Sequence, residues 1–100
     1  MNVLVLACCL LGSVSGIQTK PMEVDSSGDI WFAIKCTVHD ESGREKLHII
    51  SLQAVDKEGF EIKTIHVYAR IPANGTKVLT TRSWMSLRDF RRIHHWEAED

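Results

Sequence analysis

The sequence predicts a mainly all-β protein, an antiparallel up-and-down meander with a short C-terminal helix. Three observations carry that expectation. Ile30, Phe32, Ile34, Cys36 and Val38 alternate with Trp31, Ala33, Lys35, Thr37 and His39, the period of a strand with one buried face. Turn-forming clusters then punctuate the chain: Asp40-Glu41-Ser42-Gly43, Asp56-Lys57-Glu58-Gly59 and Pro72-Ala73-Asn74-Gly75. Beyond them the period changes, with Leu87, Phe90 and Ile93 at helical spacing and Trp96 near the same face.

Taken in order, the chain opens with an apolar run, Asn2 to Leu11, shorter than the ~20 residues a membrane-spanning helix needs. Val14 and Gly16 then stand where a signal peptidase accepts small residues, so residues 1–16 are expected to be a secretory signal peptide. No Lys or Arg precedes the apolar run, which departs from the usual pattern. Residues 17–29 read as a polar, turn-rich leader. The β-meander is expected over 30–84. Its first strand is the alternating one. In the second, Lys46 to Val55, Leu47 and Ile49 point one way while His48, Ile50, Leu52 and Ala54 point the other, so both faces are partly apolar. The third, Phe60 to Ile71, is rich in β-branched residues, and the fourth runs from Lys77 to Trp84. Residues 85–100 are expected to form a short amphipathic helix and a divergent tail, with Ser86 as N-cap and Asp89 three positions on.

Composition narrows the function classes. With 12 Lys and Arg against 13 Asp and Glu, the chain carries no net basic field for nucleic acid or lipid headgroups. Neither nucleic-acid binding nor membrane insertion is expected. Cys8 and Cys9 fall in the expected signal peptide, leaving Cys36 without an internal partner. Two readings stand: a buried small hydrophobe, favoured by its place in the apolar set, or a tether to another chain in a dimer. The five histidines are scattered apart from His94-His95, and adjacent helical positions project ~100° apart, poor metal geometry. No acid, base and nucleophile converge, no Gly-rich phosphate loop is present, and no cofactor is implied, so the protein is expected not to be an enzyme. Asn74-Gly75-Thr76 is a glycosylation sequon within a turn. Arg82, Arg88, Arg91 and Arg92 are offset near the end by Glu97, Glu99 and Asp100, and read as a solvated face.

The segment Gly28-Asp29-Ile30-Trp31-Phe32 resembles the Gly-x-Trp signature opening the first barrel strand of lipocalins, here with one extra residue. Lys46-Leu47-His48-Ile49-Ile50-Ser51-Leu52, a short connection and Phe60-Glu61-Ile62 look like the second and third strands of lactoglobulin-like and odorant-binding lipocalins. The resemblance spans residues 28–81. It implies the first half of a lipocalin barrel and a shortened or alternatively spliced member, since the family's later motifs and long C-terminal helix have no counterpart. It further implies an extracellular, non-enzymatic carrier of a small hydrophobic molecule of odorant, fatty acid or retinoid type. Leu47, Ile49, Phe60, Ile62 and Thr64 would line the calyx and Trp31 would close the barrel base. Leu87 to His94 also resembles, faintly, the strand-to-helix junction of phosphoinositide-binding PX domains, but Met85 and Ser86 stand where that motif has an Arg pair. The alternative from another functional class is a secreted protein–protein interaction module without a ligand cavity.

Overall fold

The computed structural model describes residues 12–99 of the chain. The order is β1 (Gly12–Val24), β2 (Asp29–Asp40), β3 (Lys46–Val55), β4 (Glu61–Ile71), β5 (Thr76–Ser86), α1 (Leu87–Arg92) and β6 (His95–Glu99). The fold is mainly β, as expected, but its strands do not form one meander. They divide into two antiparallel three-stranded sheets, β1-β2-β5 and β4-β3-β6. No closed barrel forms among the described residues. β2 and β3, consecutive in sequence, lie in different sheets; β2 instead pairs along its length with β5, from Asp29↔Ser86 to His39↔Thr76. The two sheets are linked at one side by long cations rather than by a ladder: Lys63 of β4 donates to the Trp84 carbonyl of β5, and Lys77 of β5 to the Arg70 carbonyl of β4.

Two hairpins share one turn design. At Asp25-Ser26-Ser27-Gly28 the Asp25 carboxylate accepts from the Ser27 and Asp29 amides, and Gly28 has φ 88°. At Asp56-Lys57-Glu58-Gly59 the Asp56 carboxylate accepts from the Glu58 and Phe60 amides, and Gly59 has φ 90°. In each, an Asp side chain satisfies loop amides that no strand reaches, and Gly supplies the left-handed residue. The sequence reading recognised the second turn. It passed over the first, so the expected leader turns out to hold most of β1. Residues 1–11 of the expected signal peptide lie outside the described residues. Gly12 to Ser15 pair with Asp40 to Thr37, and a register shift with Gly16 at φ 61° interrupts the strand before Gln18. The expected cleavage after Gly16 falls at this bulge, ahead of the ladder from Gln18↔Lys35 to Val24↔Ile30, which has its own register shift between Pro21 and Glu23.

The core lies between the facing sheets. From β2 come Ile30, Phe32, Ile34, Cys36 and Val38, all buried; from β3 Ile50, Leu52 and Ala54; from β4 Ile71; from β5 Met85. α1 closes one end, with Ser86 capping it through a 3.1 Å bond from the Asp89 amide to its hydroxyl. The helix stops at Arg92, short of the expected span, and the chain turns back as β6 beside β3 from His95↔Val55 to Ser51↔Glu99. The apolar positions expected on one helix face do converge: Leu87, Phe90, Ile93 and Trp96 pack on the core, the rings of Phe90 and Trp96 lying 5.2 Å and 6.1 Å from that of Phe32. Trp96 reaches that place from a strand.

Candidate interaction surface

The orientation of β3 decides what the molecule presents to its surroundings. His48, Ile50, Leu52 and Ala54 face the core, so strand alternation sends Leu47, Ile49, Ser51 and Gln53 outward. A polar clamp fixes this choice. His48 is fully buried and its Nε2 donates to Asp40 Oδ1 at 2.9 Å. The same carboxylate accepts from Ser42 Oγ at 2.7 Å, the Gly43 amide at 3.1 Å and the Asn74 amide at 3.0 Å. Burial alone would raise the Asp40 pKa, but the bonds from Ser42, Asn74 and His48 outweigh it and hold the carboxyl well below the ordinary carboxylate range. One side chain thus anchors the start of β3, the β2–β3 loop and the β4–β5 turn.

Outward on the β4-β3-β6 sheet, Ile49 pairs with Tyr68 and Leu47 with Arg70. Leu47, Ile49 and Tyr68 are 49%, 52% and 59% exposed, an apolar group at one end of the face. At the other end Ser51 pairs with Glu99 and His66, and Gln53 with Glu97 and Thr64, giving a shallow polar recess of about 290 Å³. β6 reaches β3 only as far as Ser51. Among the described residues, Lys46 to Ile50 therefore have β4 on one side and no paired strand on the other, and every second residue there directs its amide and carbonyl toward the open edge.

Of the residues expected to line a calyx, Leu47 and Ile49 lie on this outer face. Phe60 is 68% exposed beside the β3–β4 turn. Thr64, also on the outer face, donates to Glu61. Only Ile62 packs against the core. The five do not surround a common space. Trp31 lies on the outside of the other sheet, stacked on Trp84 at 5.2 Å with its indole N–H donating to Asp25, rather than across a barrel base. The position facing the interior is its neighbour Phe32. Cys36 is buried as a small hydrophobe and burial pushes its thiol pKa up, so a disulfide to another chain would require the sheets to part. Asn74 is exposed in its turn with φ 54°, its backbone held by Asp40. His94 and His95 follow the helix rather than extend it. Their Nδ1 atoms share a 2.8 Å hydrogen bond, and His95 Nε2 meets Glu97. No group of three or more metal-ligating side chains forms among the described residues.

Two features of this surface escaped the sequence reading. The open edge depends on β6, whose sequence His95-Trp96-Glu97-Ala98-Glu99 carries no strong strand signal. The clamp joins residues of three segments; the signal that could have found it is a histidine at an inward position of a strand, which demands a buried partner. Compared with protein-family models, with curated proteins and with solved structures, the chain matches none.

Proposed function

We propose that this protein is an extracellular protein–protein interaction module that binds an extended segment of a partner along the open edge of β3. The observation that carries the reading is the coincidence of the unpaired Lys46–Ile50 backbone with the outward apolar side chains of Leu47 and Ile49. A strand added there gains main-chain hydrogen bonds, and its outward side chains pack beside Leu47 and Ile49 as cross-strand neighbours. Export rests on the apolar leader and small residues of 1–16. The reading assigns the protein no catalytic step.

The lipocalin-like carrier reading rests on the Gly-x-x-Trp segment and the likeness around Lys46 to Ile62. It calls for an enclosed apolar space, whereas the apolar side chains between the sheets fill the interior and Leu47 and Ile49 face away from it. Two measurements on the secreted chain separate the readings. Titration with a fluorescent aminoanthracene should give no saturable, fatty-acid-displaceable binding. Partner capture from extracellular fluid should be lost on Ile49→Lys, with amide exchange of Lys46 to Ile50 slowed only in the wild-type complex. One displaceable probe site per chain would overturn the interaction reading in favour of the carrier. Capture indifferent to Ile49→Lys would overturn the edge assignment.

A further inference from the structure

The opposite face of the molecule has a different chemistry. On the outer side of the β1-β2-β5 sheet, register places residues in rows across the three strands. Lys20, Ala33 and Arg82 form one row, and Gln18, Lys35 and Thr80 the next. Paired residues share a face, and Ala33 and Lys35 are on the outer one because Phe32 and Ile34 are buried. Lys20 and Arg82 thus flank a methyl group, with Lys35 one step along the same strand. From strand spacings of about 4.8 Å and a rise of about 3.4 Å per residue, the three backbone positions fall within roughly 10 Å of one another. Gln18, Lys20, Ala33 and Lys35 border a recess of about 230 Å³, made possible by the small side chain at its centre.

Two features separate this cluster from an ordinary solvated charge pattern. None of Lys20, Lys35 and Arg82 makes an ion pair or side-chain hydrogen bond among the described residues, and the carboxylates on this face, Glu23, Asp25 and Asp29, gather at its Trp31 end. A chain of net charge −1 therefore keeps a local positive excess here. Next to the cations stands a rigid apolar wall. Trp31 and Trp84, direct cross-strand partners, are stacked; Asp25 holds the Trp31 N–H at 3.1 Å and the Lys63 ammonium lies 4.7 Å over the Trp84 ring. The hydrogen bonds to Ser27, Asp29 and Trp31 lower the pKa of Asp25 from 3.8 to about 2, so this support stays ionised at neutral and mildly acidic pH.

We propose that the outer face of the β1-β2-β5 sheet binds a sulfated polysaccharide. Its sulfate esters meet Lys20, Lys35 and Arg82, with the Arg82 fork able to take two oxygens of one group. The C–H surface of an adjacent pyranose packs on the Trp31–Trp84 wall. A nucleobase fits less well, because it needs a whole open ring face and Trp84 already has Trp31 stacked on it and the Lys63 ammonium over its ring, whereas a pyranose needs only the exposed part of the pair. A lipid surface fits less well, because the indoles are tied down against the sheet rather than projecting from it. The site is independent of the β3 edge.

The test is calorimetric titration of the secreted chain with a heparin hexasaccharide near physiological ionic strength, where exposed charges separated by more than about 8 Å are largely screened. Saturable binding is expected. The triple variant Lys20→Gln, Lys35→Gln, Arg82→Gln should bind about 30-fold more weakly, roughly threefold per exposed charge. A control with the same loss of charge elsewhere, Lys57→Gln, Arg88→Gln, Arg91→Gln, should stay within about twofold, because distant exposed charges are screened. Leu47→Lys with Ile49→Lys should leave the binding intact, which separates this site from the partner edge. Absence of hexasaccharide binding, equal loss in the control, or tighter binding to desulfated polymer, anionic vesicles or single-stranded DNA would each overturn the proposal. Unchanged far-ultraviolet dichroism in both triple variants keeps a folding defect from counting as support.

Discussion

The two outer faces of the molecule are made the same way and present opposite chemistry. On the β1-β2-β5 side, β2 turns Trp31, Ala33, Lys35, Thr37 and His39 outward, and the apolar members among them are stacked or small. On the β4-β3-β6 side, β3 turns Leu47 and Ile49 outward beside Tyr68. A strand whose polar and apolar residues alternate has only one way to sit against a core. A strand apolar on both faces has two, and something other than hydrophobicity must choose. In β3 the choice falls to His48, whose ring finds Asp40 only when it points inward. Leu47 and Ile49 are then left at the surface as a consequence of a hydrogen bond.

The largest expected effect tests the inside of β2 against its outside. Phe32→Ala removes the ring at the centre of the Phe90 and Trp96 contacts and should cost ~3–5 kcal/mol in urea unfolding, enough to unfold a marginal domain. Trp31→Ala, one residue away, should cost only about 1 kcal/mol for the lost stack. Similar losses at the two positions would mean that β2 is not oriented as described.

A second expectation concerns the clamp that orients β3. The folded pKa of Asp40 is depressed, so the stability its ionisation contributes is complete above the ordinary value of 3.8 and disappears as pH falls through the lower folded value. Asp40→Asn should therefore unfold more easily than the parent protein at neutral pH, with the gap narrowing as pH falls from about 4 toward 2. A gap independent of pH would show that the carboxylate's charge is not what holds His48 and the two turns.

Smaller effects sharpen the contrast at the margins. Ser86→Ala takes away the cap of α1 and should cost ~1 kcal/mol, read from the thermal midpoint. Ile49→Lys should move stability by no more than about 0.5 kcal/mol, since its side chain already faces water, while abolishing partner capture. Substantial destabilisation by that change would mean Ile49 is buried in solution and the apolar patch is already covered.

What the sequence disclosed follows the same division. The strict alternation of β2 gave its span and its buried face, and Asp56-Lys57-Glu58-Gly59 gave the β3–β4 hairpin, though not the register shift between Ala54 and Val55 beside the turn. The matching turn at Asp25 was passed over because the flanking β1 carries Gln18, Lys20, Pro21 and Glu23, polar or ladder-breaking residues that an edge strand tolerates. Partnership between sheets was not legible, because local pattern reports which face of a strand is buried and not which strand lies beside it. The expected calyx followed from the lipocalin resemblance, which implies a barrel; in the two-sheet fold His48, Ile50, Leu52 and Ala54 take the inward positions of β3, and Leu47, Ile49 and Thr64 face away from the core. The cationic rows were hidden because Lys20, Lys35 and Arg82 come together only through two long-range ladders.

The β2–β5 ladder has a consequence for how the chain reaches this structure. Everything between its strands, including the whole β3–β4 hairpin, is nested inside the loop that it closes. The inner hairpin is local and can form in microseconds, whereas the outer pairing must bring distant segments together across it, an entropically slower event. During that interval the apolar row of β2 has only β1 beside it and no opposing sheet. Chain concentration during folding therefore sets the yield: dilute chains close their own ladder, and crowded ones find the same strand on a neighbour first.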